Sequence, residues 1–297
     1  KIDKLARGEQ QMVRSSGWAG SQLLNSDDYR AYVGGTTGLI YGFVNDGFYT
    51  VDDFKPFDSK SRTWTLKDGV VNSSPLSGDP RPGNAKFKKL TPVDENSANP
   101  YTLTDDDRTV IGNTTPKFSG GFGLNATFKG FDVSAFFNFM YDFDVCNANK
   151  VMMTTWASNN YNNFSMDISA AKRWRNFDDM GNEIRYSPEI LAEFNKNATM
   201  WNPTSIGRPI AMSYAVEDGS FLRLNTATIG YTLPRAWTNK VGLSRVRFYA
   251  SGYNLFTITG YSGYDPEVDI ATGLTPNIDN NRYPRSRTYT FGVQLTF

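Results

Sequence analysis

The last nine residues, YTFGVQLTF, put Tyr289, Phe291, Val293, Leu295 and Phe297 on one parity and Thr290, Gly292, Gln294 and Thr296 on the other. Period-two alternation is the signature of a strand with one apolar and one polar face. A water-soluble sandwich also contains such strands. Here, however, the apolar set is bulky and closes on an aromatic with no polar tail. That fits a strand that crosses lipid and stops at an aromatic girdle. A soluble edge strand would be blunted by charge or proline.

The same pattern recurs upstream. Phe118, Gly120, Phe122, Leu124, Ala126 and Phe128 alternate with Ser119, Gly121, Gly123, Asn125 and Thr127, and Lys129 and Gly130 supply a two-residue turn. Phe131, Val133, Ala135, Phe137, Phe139 and Tyr141 then resume the apolar face, with Phe136 and Met140 as exceptions on the other. Each arm has about 11 residues, the length a tilted strand needs to cross a bilayer and longer than an ordinary globular strand. Further arms run from Phe221 to Leu233, where the phase slips near Asn225, and from Arg245 to Thr257.

Connections are uneven. The 129–130 turn is minimal, whereas residues 54–117 form a long polar stretch and residues 143–220 a long loop with short helices. Short turns on one side and long loops on the other are the layout of an outer-membrane barrel. Ser187-Pro188 begins a helix whose apolar stripe is Ile190, Leu191 and Phe194, and a further helical turn is expected between Phe164 and Arg175.

Composition excludes several chemistries. With 31 basic against 30 acidic residues there is no field to hold nucleic acid, and the absence of histidine removes His triads and His-ligated metals. Cys146, the one cysteine, cannot form a disulfide framework. No run approaches the roughly 18 apolar residues of a membrane helix, so a membrane role must use strands. The opening KIDKLARGEQQMV has neither an initiator Met nor a signal-peptide layout, and the expectation is a piece of a longer protein. The letters of a dinucleotide fingerprint at Gly121–Ala126 fall inside a strand and open no helix. The acidic stretch from Asp94 to Asp107 lacks the glycine and terminal Glu of a cation loop, and Asp265, Glu267 and Asp269 read as polar rim, so neither a metal site nor a catalytic residue is assigned. Flat rings among amides and charges at Trp156, Tyr161, Trp174 and Trp201 are the candidate ligand-binding residues; the alternative is that these rings pin the loop to its neighbours.

Several blocks, in order, resemble one family: GLIYGFVNDGFY (38–49), PGNAKFKKL (82–90), DDDRTVIGNTTPKFSGGFGLNATFKGFDVSAFFNF (105–139), DGSFLRLNTATIGYTLP (218–234), GLSRVRFYASGYNLFTITGYSGYDPEV (242–268) and YPRSRTYTFGVQLTF (283–297). They are similar to the C-terminal part of the SusC/RagA family, TonB-dependent outer-membrane transporters of Bacteroidetes. The resemblance implies an all-β fold: a transmembrane antiparallel β-barrel of 22 strands, of which residues 1–297 supply the C-terminal portion and residues 221–297 the last strands. It implies active import of oligosaccharides or, in the RagA branch, of peptides, without catalysis or cofactor. Its partners would be a SusD-like surface lipoprotein and the TonB-ExbB-ExbD system, which acts through an N-terminal plug with no counterpart in these residues, and SusC/SusD-type pairs could dimerise. The terminal strand from Tyr289 to Phe297 would be the signal read during barrel assembly. The family's acidic, Gly-containing insert before Asp107 has lost its glycine here. A surface all-β binding module without transport is the competing reading.

Overall fold

A computed structural model describes residues 1–19, 27–155, 164–268 and 273–297. The chain forms two compact units: Thr115–Val145, Asp218–Val268 and Arg282–Phe297 make one, and Lys1–Thr114, Cys146–Glu217 and Asp269–Asn281 the other.

The first is a five-stranded antiparallel sheet in which chain neighbours pair: Phe118–Phe128, Phe131–Tyr141, Phe221–Thr232, Arg245–Thr259 and Thr288–Thr296. At about 3.3 Å per residue an 11-residue strand is about 36 Å long, and a tilt of about 45° leaves it about 25 Å to span. The register shows why the sequence alternates. Leu124, Ala135, Ala227, Gly252 and Tyr289 lie in one cross-strand row, and Ala126, Val133, Ile229, Ala250 and Phe291 in another. Both rows are on one face. The row between them, Asn125, Ser134, Thr228, Ser251 and Thr290, is on the opposite face and is wholly polar.

The phase slip near Asn225 also has a structural cause. The register shifts between Leu224 and Thr226 against both neighbouring strands, leaving Asn225 as a bulge. One extra residue moves every later side chain to the other face. Leu222 and Leu224 before the bulge therefore share a face with Ala227, Ile229 and Tyr231 after it. Phe136 sits on the polar face, where its ring covers the bare backbone of Gly121. At the tight turn Lys129 and Gly130 both have positive φ, as a two-residue hairpin with the strands' twist requires.

The second unit is organised around its own core. A four-stranded sheet has the order Gln11–Arg14, Tyr29–Tyr32, Leu39–Gly42, Thr109–Asn113, and a hairpin joins Asn45–Phe48 to Ala85–Phe87. Phe43, Phe87, Val151, Ile206, Ile210 and Met212 are wholly buried together. Residues 54–117, read from sequence as a polar loop, thus contribute two strands and several buried side chains to this core. Sparse apolar residues such as Phe54, Leu76 and Leu103 anchor the connecting turns. The helix expected after Ser187 spans Pro188–Asn195 and a short helical turn covers Met166–Ile168. Of the expected stripe, Leu191 is buried and Phe194 packs beside it, whereas Ile190 is exposed, because a helix of two turns buries only one narrow face.

Candidate functional site

Three places bear on function: the two-faced sheet, a charged cluster at the sheet's loop end, and a cavity in the cored unit.

On the sheet's apolar face, exposure reaches 70% at Phe128, 80% at Phe291 and 89% at Phe297. Such a continuous apolar surface is far beyond what a monomer leaves in water. Aromatics gather at its two ends. Phe118 stacks on Tyr141 at one, and at the other Phe131 lies 4.5 Å from Tyr231 in the row that includes Phe128 and Phe248. Between them, the rows of Leu124, Ala135 and Ala227 and of Ala126, Val133, Ile229 and Ala250 are largely aliphatic, with Tyr289 and Phe291 on the edge strand and the stacked Phe122 and Phe137 nearer the Phe118 end. Aromatic girdles around an aliphatic band are what a strand wall in lipid presents. The opposite face carries charge. Arg247 donates from Nε to Asp132 at 2.9 Å and from Nη2 to its other oxygen at 2.5 Å, crossing the intervening strand above Gly230. Any side chain at Gly230 would occupy the guanidinium's place.

The candidate assembly residues Tyr289, Phe291, Val293 and Leu295 all lie on the apolar face of the edge strand. Where this sheet meets its loops, Arg223 is buried, with Nη2 2.5 Å from Asp265 and Nη1 3.6 Å from Glu267, which also accepts from Arg285 at 2.9 Å. Burial pushes the Asp265 carboxyl up. The Arg223 guanidinium and the Glu267 backbone N–H more than offset this and hold it below the usual carboxylate range. The acidic residues read as polar rim are thus a structural ion-pair network; Asp269 lies outside the described residues.

The candidate ligand-binding aromatics divide into two sets. Trp156 and Tyr161 lie outside the described residues. Trp174 and Trp201 are only 3% and 2% exposed. Trp174 packs edge-on to Phe48 and covers Gly83, while Trp201 meets Tyr214 at 4.8 Å inside the main core. Neither ring face is open to a ligand, so these two serve to pin the loops, which is the alternative the sequence left open. Their expected role was attached to ring type and neighbours, which do not report burial.

The acidic stretch before the Thr109 strand has a different use. Asp107 is fully buried and accepts from the backbone N–H groups of Leu90, Thr91 and Thr104 at 2.8–2.9 Å, from the Thr91 hydroxyl at 2.7 Å, and from Lys89 Nζ at 3.2 Å. Burial alone would raise its pKa. These donors instead bring it down to about 2. Its oxygens are filled by donors rather than presented to a cation. Cys146 is buried, and desolvation, followed by the nearby Asp28 and Asp279, pushes its thiol well up, so it is not a nucleophile.

Sequence reasoning missed the cavity. It encloses about 500 Å³ and is lined on one side by Arg62, Trp64 and Tyr186 and on another by Asp79 and Arg81. Trp64 Nε1 donates to the Arg185 carbonyl at 3.3 Å, and its ring packs on Phe54 and Phe57. Arg62 and Arg185 both lie over the Tyr186 ring, at 5.3 and 5.7 Å. The criterion used for the other aromatics, a ring beside arginine in a long loop, applies equally to Arg62-Thr63-Trp64 and Arg185-Tyr186.

No protein-family model matches the chain. Over its whole length it is 29% identical to the TonB-dependent receptor P3 of Formosa agariphila, and over 89% of its length 24% identical to receptor P39 of the same organism. Over half its length it is 32% identical to the TonB-dependent receptor SusC of Bacteroides thetaiotaomicron. It spans 25%, 25% and 15% of these three relatives. Among solved structures, the RagAB peptide transporter matches all of the chain with a TM-score of 0.61 at 20% identity, and the RagAB peptide importer in its closed-closed state matches 99% with 0.59 at 21%. Each match covers 25% of the RagAB chain, and at this identity the likeness is one of fold. The curated relatives are receptors, not enzymes.

Proposed function

We propose that this outer-membrane chain, a relative of the TonB-dependent receptors similar to SusC and RagA, forms part of a barrel that imports oligosaccharides with energy delivered through TonB. The observation that carries this reading is the sheet. One face offers no charged group to lipid, and the other presents Asp132, Arg247 and rows of hydroxyls and amides suited to a wet lumen. An open sheet edge in hydrocarbon is costly, so the Phe118 and terminal strands would pair with further strands of the barrel, 22 in all by family resemblance. A SusD-like lipoprotein would supply the outer lid and the TonB-ExbB-ExbD system the driving force. The terminal aromatic strand would guide assembly, so Phe297→Ser should lower the amount of folded protein in the membrane.

A second reading, import of oligopeptides, fits the fold likeness to the RagAB peptide transporter equally well. Uptake of labelled oligosaccharides and labelled oligopeptides by cells with and without TonB separates the two. Saccharide uptake lost with TonB supports the first and peptide uptake lost with TonB the second. A protein that extracts without detergent and shows no heat-modifiable gel migration would be a surface binding module, which overturns both.

A further inference from the structure

We infer that the cavity between Trp64, Tyr186 and Arg81 is a binding site for an anionic sugar, one bearing a carboxylate or a sulfate. This rests on the oligosaccharide reading and adds the chemical class of its ligand.

The first ground is charge. Three guanidiniums, of Arg62, Arg81 and Arg185, line the cavity against a single carboxylate, Asp79, in a chain whose overall charge is +1. Arg185 is neutralised by Glu183. Among the described residues Arg62 and Arg81 have no ion-pair partner, although both lie on a wall that an anion could reach. A planar guanidinium fork is matched to carboxylate or sulfate oxygens.

The second ground is rigidity. The Arg62 guanidinium is held over the Tyr186 ring. The Arg81 turn is fixed by Asn84, whose Nδ2 donates to the carbonyls of Ser77 at 3.1 Å and Asp79 at 3.0 Å. Trp64 is bound to the Arg185 carbonyl. Walls already fixed before a ligand arrives spare it the entropy of ordering them. The volume of about 500 Å³ falls within the ~300–1,000 Å³ usual for ligand sites.

The third ground is what the lining lacks. Extended peptides are recognised through free sheet edges and apolar pockets for alternate side chains. This cavity instead presents amides and hydroxyls, from Asn84, Asn176 and Thr204, beside two partly exposed rings. Hydroxyl-rich rings carrying charge complement that surface better than a peptide does.

The test is calorimetric titration of the detergent-solubilised full-length protein with four probes of equal length: an oligogalacturonate, a sulfated galactan oligosaccharide, a neutral galactan oligosaccharide and an oligoglutamate. At least one anionic sugar should bind ten-fold or more tighter than the neutral one, weakening as salt rises, and the tighter of the two identifies carboxylate or sulfate as the group recognised. Arg62→Gln with Arg81→Gln should cost at least ten-fold in that affinity. Asp79→Asn should tighten it, a gain that misfolding cannot produce. Equal binding of neutral and charged sugars, preference for oligoglutamate, binding of no probe, or affinity unmoved by the Arg62/Arg81 pair would each overturn the site. TonB dependence of uptake is measured separately. Anion binding that persists alongside TonB-independent uptake would remove the importer and leave the site, whereas TonB-dependent uptake with no anion preference would do the reverse.

Discussion

The two units of this chain solve opposite problems with the same residue types. In the sheet, Phe128 and Phe291 are mostly exposed; in the cored unit, Phe43 and Phe87 are wholly buried. The cored unit hides its apolar side chains from water by packing them together and then charges its surface. The sheet separates polar from apolar by parity alone and has no second layer within its unit, so its greasy face must find another solvent. Aromatic content, 14% of the chain, therefore says little until the environment of each ring is known.

The contrast can be broken most strongly in the core. Trp201→Ala removes a large buried ring and should cost about 3–5 kcal/mol, read as a lower urea midpoint for the cored unit. An unchanged midpoint would mean that the ring is not part of the packing. Next comes a pair of adjacent positions on the sheet. Ala135→Arg places a guanidinium on the apolar face and should cost about 2–4 kcal/mol of folding in bilayers. Ser134→Arg, one residue away on the polar face, should cost well under half of that. Equal costs would refute the assignment of faces.

Acid should act on the cored unit through Asp107. Its folded pKa, about 2, lies below the ordinary value of about 3.9, so its contribution is present in full above pH ~4 and is lost as pH falls towards 2. The loss should amount to about 2 kcal/mol, and Asp107→Asn should abolish that part of the pH dependence in unfolding titrations. The smallest expected effect returns to the sheet. Gly230→Ala would crowd Arg247 away from Asp132 and cost about 1 kcal/mol or less, because the pair is partly exposed. A double-mutant cycle with Asp132→Asn should show that the two changes are not additive.

Much of the sheet could be read in advance. Phe118–Phe128 and Phe131–Tyr141 have the bounds that alternation gives them, and even the slip at Asn225 was visible as a break in phase, though not as the bulge that restores the face. The cored unit was less legible. Its strands are two to five residues long, too short for a period to register, and its partners are distant: Tyr29 hydrogen-bonds the carbonyl of Pro276, and Asn277 reaches Thr114. The candidate site suffered for the same reason. Trp64 and Trp174 both sit beside arginines in polar loops, yet one borders a cavity and the other lies beneath Gly83.

The sequence by itself determined the long strands of the sheet and the apolar and polar sides of each regular stretch, because parity along an extended chain is a local property; the bulge at Asn225 that keeps one face continuous came from pairing with the neighbouring strands. Only the tertiary structure decided which loop aromatics are buried, that Asp107 is a clamp rather than a cation ligand, and that Arg62, Arg81 and Tyr186 meet around one cavity. Those facts depend on side chains brought together by the fold, from Thr104 close along the chain to Asp107 to Tyr186 far along it from Arg62, and burial at a given position is set by what packs against it.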